Sequence, residues 1–498
     1  MTMLEPGRPP VECIDRLSCM EILMNGNEGT GVIREHMDPS HKALEINLDR
    51  RRYGTFAEIG AGQEVVRWFF RAGGASGTIA KSISAYDMSV SDAIYGKSER
   101  YVSRSRLQAM LDYEHKLNLS RLNESRGDTT AFFAFANTVA VRGYNSSSEG
   151  HGWMGVKFQA HPRDQDSQII LHVRMLDREN SQQQEALGIV GVNLLYGAFF
   201  LHYEPELLLR SLLDNLSVDR IEIDMIEFSG IEFRHVDNRI MSLRLVELGS
   251  SDSAMFGPSG EVLQPSEILH NKPILVERGS FRPVTHVNLD MLRCARDKFA
   301  EVAGKDVGTP VELMEITMRN LKAGGTDIDL RDFLARADIL CACGKTVLIS
   351  DFFEFYRLAA CLARYTKMPL GLVMGAASLL ELFDEKYYAD LEGGILESLG
   401  RLFKNEHKLY VYPYLNDEKK VVTAQSLAIA PELTKLYGYL LDRGFIQQMD
   451  NYQPEYLPIF SRDVLQKIKI GDESWKAMVP DNVAEIIQKR GFFGYRPK

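Results

Sequence analysis

The order of apolar and polar residues changes twice along the chain. Residues 63–71 (QEVVRWFFR) and 103–122 place apolar side chains three and four apart, which predicts helices. Residues 130–141, 153–158, 168–175, 220–228 and 241–248 are short apolar or alternating runs and predict strands. Residues 186–201 (ALGIVGVNLLYGAFFL) are apolar almost throughout. That run is shorter than the ~20 residues of a membrane span and reads as a buried helix. Residues 1–45 show little periodicity: a Pro-rich patch at 5–10, a polar patch at 25–30 and one short helical stretch at 13–24 predict a weakly ordered tail. Residues 249–264 (GSSDSAMFGPSGEVLQ) read as a connector. Beyond them short strands and helices alternate, the pattern of a parallel sheet. The expected organisation is therefore a tail (1–45), a mixed α/β or α+β domain of unassigned role (46–260), and an α/β domain with a doubly wound, Rossmann-like parallel sheet (270–498).

Composition narrows the function classes. The 498 residues carry 58 Lys+Arg against 68 Asp+Glu, a net charge of −10. That argues against a general nucleic-acid binder, which needs a basic excess, and leaves room for a local basic pocket holding a phosphorylated small molecule. Six cysteines (13, 19, 294, 341, 343 and 361) are too few for a disulfide framework, and Cys341-Ala-Cys343 lacks the two-residue gap of common zinc sites. No metal site is expected. Residues 1–50 hold no continuous apolar stretch of the secretory type, so the expected setting is the cytoplasm, without a membrane partner.

Several short patterns read as ordinary structure. Glu58-Ile59-Gly60-Ala61-Gly62 lacks the third glycine of a dinucleotide loop and follows a charged segment at 49–53. Residues 72–78 (AGGASGT) and Cys343-Gly344-Lys345-Thr346 each miss part of a P-loop. His151, two residues before Trp153, reads as a structural histidine.

One constellation carries chemistry. An apolar strand at 273–276 runs into Glu277-Arg278-Gly279-Ser280-Phe281-Arg282-Pro283-Val284-Thr285-His286-Val287-Asn288-Leu289, where a helix begins. A strand, a glycine-containing loop and a helix N-terminus present unpaired N–H groups and the positive end of a dipole to an anion. Residues 279–289 resemble the signature loop of nicotinamide and nicotinate mononucleotide adenylyltransferases, Gly-Ser-Phe-Asn/Asp-Pro-Xaa-His/Thr-Xaa-Xaa-His-Leu. Leu372-Val373-Met374-Gly375-Ala376-Ala377-Ser378-Leu379 is similar to that family's strand ending in Gly-Ala-Asp-Ser-Leu. Ile459-Phe460-Ser461-Arg462, followed by Leu465, Gly471 and Val479-Pro480, is similar to its closing block, and a strand at 407–414 falls between the two. The resemblance spans roughly residues 270–498.

The resemblance implies transfer of AMP from ATP, with Mg2+, to a nicotinamide or nicotinate mononucleotide. The protein would contribute in-line positioning and donors around the phosphates. It assigns Gly279, Ser280, Phe281, Arg282, Gly375, Ala377, Ser378 and Ser461 to nucleotide binding, and Thr285, His286, Asn288 and Arg462 to catalysis. This chain departs from the pattern where charge matters. Asn288 stands for the second signature histidine, Ala377 for the aspartate and Leu465 for the closing arginine, with Arg462 one helical turn earlier. His286 lies two residues from Asn288, about 200° around a helix, and does not simply replace it. Three readings follow: an adenylyltransferase with rearranged phosphate donors; a catalytically silent domain of that fold, acting as a nucleotide or NAD sensor or as a structural platform; or chemistry housed in residues 46–260. The expected partner is a small nucleotide, and homo-oligomer formation is left open.

Overall fold

Two sheets organise the chain. The computed structural model describes residues 37–142, 149–304, 307–322, 325 and 327–496, and Asp38–Lys498 form one compact unit. The expected helical stretch at 13–24 and the patches at 5–10 and 25–30 lie outside the described residues. The helix Pro39–Leu48 starts inside the expected tail. Asp38 accepts a hydrogen bond from Ser40 N (2.7 Å), and Ala43 and Ile46 are buried.

The first sheet contains β1 (Arg52–Gly60), β2 (Ile79–Ile83), β3 (Ala131–Ala140), β4 (Gly150–Phe158), β5 (Ser167–Met175) and β6 (Ile221–Gly230). Its order is β2-β1-β3-β4-β5-β6: β1 runs parallel to β2 and β3, and the remaining pairs are antiparallel. One face packs on the helix Arg104–Arg126, the other on Pro39–Leu48, Val65–Ala72 and Asn180–Phe200. The last of these is the apolar run at 186–201. It is buried on every side, which is why it lacks an amphipathic period. Gly191 permits this: a Cβ there would lie 2.3 Å from Val65 Cγ2. Lys42 is fully buried in the same layer, its Nζ donating to Asn193 Oδ1 and Asp214 Oδ2 (both 2.7 Å).

Three local expectations change. The segment at 241–248 is not a strand but part of the helix Asn238–Glu247, capped by Asp237, which accepts from Arg239 N (3.0 Å). This helix lies between two cores, with Met241 and Leu245 in the first-sheet core and Leu243 and Val246 in that of the second sheet. Apolar residues on opposite faces mimic the alternation of a strand. The charged run before Glu58 does lead into a strand, β1, which is paired on both sides. Arg52 is tolerated because its guanidinium donates to the carbonyls of Gln159 and Ala160 (both 2.9 Å). The expected connector at 249–264 carries β7 (Ser253–Phe256) and β8 (Val262–Leu263).

The second sheet adds β9 (Ile274–Arg278), β10 (Val311–Thr317), β11 (Thr346–Ser350), β12 (Leu370–Gly375) and β13 (Lys408–Tyr412). A separate two-stranded ribbon, β14 (Tyr414–Leu415) and β15 (Val421–Val422), precedes β16 (Ile446–Gln448). The order is β16-β13-β12-β9-β10-β11-β7-β8, with β9 to β13 and β16 parallel and β7 and β8 antiparallel at the edge. Numbered from β9, the six parallel strands read 3-2-1-4-5-6, the order of a Rossmann-like sheet. The chain reverses direction between β9 and β12, and a crevice opens there at the strand ends.

The helix His286–Ala303 returns from β9 onto one face of this sheet. Asn288 anchors its first turn, accepting from Thr285 N and Oγ1 (both 3.0 Å) and donating from Nδ2 to Glu277 Oε1 (2.7 Å). Glu277 is buried, and its Oε2 has no hydrogen-bond partner among the described residues. Burial pushes its carboxyl up to about 8, so it is largely protonated at neutral pH.

Two outcomes are expected. Lys42→Ala leaves Asp214 and Asn193 buried without their cation and should cost about 3–5 kcal/mol in urea denaturation. Glu277 binds its proton more tightly when folded than when unfolded, so its stabilising contribution is complete below about pH 4.5 and is lost as the pH rises towards about 8. Glu277→Gln should therefore gain on the wild type in urea midpoint between pH 5 and pH 9; an unchanged difference would contradict a protonated Glu277.

Candidate functional site at the strand crossover

A cavity of about 490 Å3 sits where the crossover rule puts a ligand. It is lined by the ends of β9, β10 and β12 and by the segments after β11 and β12. Arg278, Gly279 and Ser280 come from the end of β9, Thr317, Arg319 and Asn320 from that of β10, Met374 from β12 and Ser378 from the helix that follows it. Phe353, Glu354, Phe355, Glu381, Tyr387 and Tyr388 close it.

The two arginines play different parts. Arg278 is committed to structure: Nε and Nη2 bind the carboxylate of fully buried Glu315 (2.8 and 2.9 Å), and Nη1 donates to Phe353 O (2.6 Å). Glu315 also accepts from Ser350 Oγ (2.5 Å), so β9, β10 and β11 are tied together at the cavity floor. Arg319 is exposed and has no carboxylate partner among the described residues. Its guanidinium lies over the Phe353 ring, 4.5 Å from the centroid. The Phe353 and Tyr387 ring centroids lie 5.2 Å apart with their planes tilted by 59°. The rim thus offers a cation, an aromatic pair and the hydroxyl of exposed Ser378.

The loop after β9 is strapped from below. Gly279 N donates to Glu315 O (3.0 Å), Asn320 Nδ2 to Gly279 O (3.3 Å) and Arg336 Nη1 to Ser280 O (3.2 Å). Phe281, at φ +45°, turns its ring into the core and is 1% exposed. A Cβ on Gly279 would sit 2.7 Å from that ring, so Gly279 and Phe281 require each other for packing. Arg282, joined to Pro283 by a cis peptide, pairs with Asp332 (2.7 Å).

The expected site residues therefore separate. Gly279, Ser280 and Ser378 line the cavity. Gly375 caps the helix Ala376–Leu382, and Ala377 is exposed on its first turn. Phe281 is in the core, Arg282 is bound to Asp332, and Thr285 and Asn288 are joined in the helix cap. His286 stacks on Tyr456, ring centroids 5.0 Å apart and planes 10° apart. Ser461 meets the far side of the loop, its Oγ donating to Pro283 O (3.1 Å), and Arg462 beside it is exposed. None of Arg282, His286, Asn288 and Arg462 lines the cavity. Arg319, Phe353, Glu381 and Tyr387 were not expected there. Arg319 and Phe353 stand just past the carboxyl ends of β10 and β11, which is their one sequence signal; Glu381 and Tyr387 lie farther past β12 and left none.

The first sheet holds polar clusters of its own. His172 Nδ1 bonds Asp224 Oδ1 (2.6 Å), its Nε2 bonds His151 Nδ1 (3.2 Å), and Gln264 Nε2 donates to Asp224 Oδ2 (3.1 Å). Burial and the neighbouring His172 lower His151 to about 4, so it is neutral at pH 7, in keeping with a structural histidine. Glu58 accepts from Val65 N (3.1 Å) and Asn137 Nδ2 (3.1 Å), and burial pushes its carboxyl up to about 8.

Among the described residues no helix is long and apolar enough to cross a membrane. Neither a protein-family model nor a curated protein matches the chain. Solved structures of the competence/damage-inducible (CinA) superfamily resemble part of it. The Agrobacterium tumefaciens protein CihA is 18% identical over 32% of this chain and 94% of its own, with a TM-score of 0.24. CinA-superfamily proteins from Enterobacter cloacae (12% identical; 34% and 99% covered; TM-score 0.24) and Klebsiella pneumoniae (14%; 33% and 95%; 0.24) resemble it similarly. Similarity at this level assigns neither an activity nor a partner.

Proposed function

We propose that the second sheet binds a nucleotide in the crevice between β9 and β12 and acts as a nucleotide sensor, without the catalytic set of an adenylyltransferase. The observation that carries this is the cavity at the crossover, with Arg319 and the Phe353–Tyr387 pair on its rim. A base stacks on an aromatic face, and a phosphate pairs with a guanidinium that has no other anion. Two of the groups that the adenylyltransferase resemblance assigns to the site are engaged elsewhere, Arg282 with Asp332 and Asn288 with Thr285 and Glu277, while Arg462 is exposed outside the cavity lining. Magnesium arriving with a polyphosphate would be held by Glu354 and Glu381, the lining carboxylates, where it would offset phosphate charge.

One contact favours the second reading, turnover of ATP and a mononucleotide. Ser461 reaches the signature loop through Pro283, which places the exposed Arg462 on the neighbouring helix. Release of pyrophosphate from ATP, Mg2+ and either mononucleotide above a boiled control would establish that reading; none is expected.

Calorimetry with ATP, NAD and both mononucleotides should give saturable binding by at least one of them. Arg319→Gln should weaken it about tenfold, which is about 1.4 kcal/mol. Phe353→Ala should cost about 1–3 kcal/mol if the base stacks there. Full affinity in both variants would place the ligand elsewhere.

A further inference from the structure

A second feature lies on the other side of the segment that closes the cavity. Phe353, Glu354 and Phe355 face the cavity, while Phe352, Tyr356 and Arg357 line a separate open groove of about 390 Å3. This groove runs between the helices Phe355–Tyr365 and Gly394–Leu402. Its charged lining is Arg357, Arg364, Arg401 and Lys404 against the single carboxylate of Asp252.

These cations are weakly neutralised. Arg364 reaches Asp252 only at 4.0 Å, and Arg357 reaches Glu354 only at 3.8 Å. Lys404 is exposed and has no ion-pair partner among the described residues. Arg401 alone is closely paired, with Glu397 (2.5 Å). Two of the guanidinium groups are oriented by aromatic rings: Arg357 lies over Phe352 (5.6 Å) and Arg401 over Tyr356 (5.5 Å). In a chain of net charge −10, four cations around one groove are a local reversal of the field.

We propose that this groove is a second anion site, built for a chain of two or three phosphates. One phosphate engages one or two guanidinium forks. Using all four cations takes several phosphates in a row, with Lys404 as a point charge and the arginines as planar forks. The phosphates have two possible sources: a separate inorganic polyphosphate, or the tail of a nucleotide whose base occupies the cavity. The shared segment at 352–357 gives either one a direct route to influence the cavity. The proposal does not depend on the nucleotide-sensor reading.

The test is calorimetry of the full chain with inorganic tripolyphosphate and, separately, with ATP, at low and high ionic strength. Tripolyphosphate should bind saturably, and more weakly as salt rises. Arg364→Gln combined with Lys404→Gln should weaken it at least tenfold, and Arg319→Gln less than twofold. Lys404→Glu, a change at an exposed position, should weaken it by itself and serves if the double variant fails to fold by circular dichroism. A matching loss for ATP in the groove variants identifies the nucleotide tail as the source; unchanged ATP binding identifies a separate polyphosphate. Absence of saturable tripolyphosphate binding at low salt would overturn the proposal. So would binding that Arg319→Gln weakens and the groove variants leave intact.

Discussion

The crevice of the second sheet depends on a buried carboxyl at the end of its first strand. Glu277 lies under the helix His286–Ala303, and its one hydrogen bond is to Asn288, which also closes the helix cap on Thr285. Next to it Arg278 binds Glu315, and Ser350 completes that knot from β11. Adjacent residues of one strand, pointing to opposite faces, thus fix two things. Glu277 sets where the helix begins, and Arg278 sets the spacing of the strand ends around the cavity. Glu277 is buried and Arg278 half-buried, and each is held by close partners, so the loop that follows them has little freedom to vary.

This gives Asn288 a positive role. Its amide is bifunctional, with an acceptor facing Thr285 and a donor facing Glu277. A neutral imidazole at this position also has one donor and one acceptor, but on a rigid ring; a charged one has no acceptor for the cap. The residue that departs from the adenylyltransferase pattern is therefore a working part of the local structure. The same holds for Arg282, paired with Asp332 in a cluster that includes Arg336, whose Nη1 supports Ser280 O. Groups that would face phosphates in a transferase here hold the loop in shape.

The legible part of the molecule was what local pattern controls. Period-two and period-3.6 runs located β3 to β6 of the first sheet and the helices around 103–122 and 186–201, while in the second sheet pattern located β9 and the family resemblance pointed to β12 and β13. The Gly279–Phe281 packing and the strand-loop-helix geometry left a sequence trace because a short segment contains all of it. Two elements differ from the pattern: the helix Asn238–Glu247, apolar on two faces, has the alternation of a strand, and β7 is hidden between Gly- and Ser-rich flanks. The cavity's own chemistry was not legible. Arg319, Phe353 and Tyr387 come from three separate segments, following β10, β11 and β12, that only the parallel sheet brings together. Spacing along the chain carries no record of that convergence.

The position of the crossover decides what such a sheet offers, whatever residues stand around it. Strand ends at a reversal leave a crevice whatever their side chains do, because the loops on either side leave in opposite directions. Selection on turnover shapes the donors around the phosphates; selection on binding needs a stacking surface and one available cation. The chain keeps the second pair, Phe353 and Arg319, at the rim, and it has turned the first group inward to Glu277 and Asp332. An aromatic pair and an exposed cation stand at the mouth, while Arg282 and Asn288 are engaged in the loop and the helix cap. That division is what the proposed binding without transfer requires.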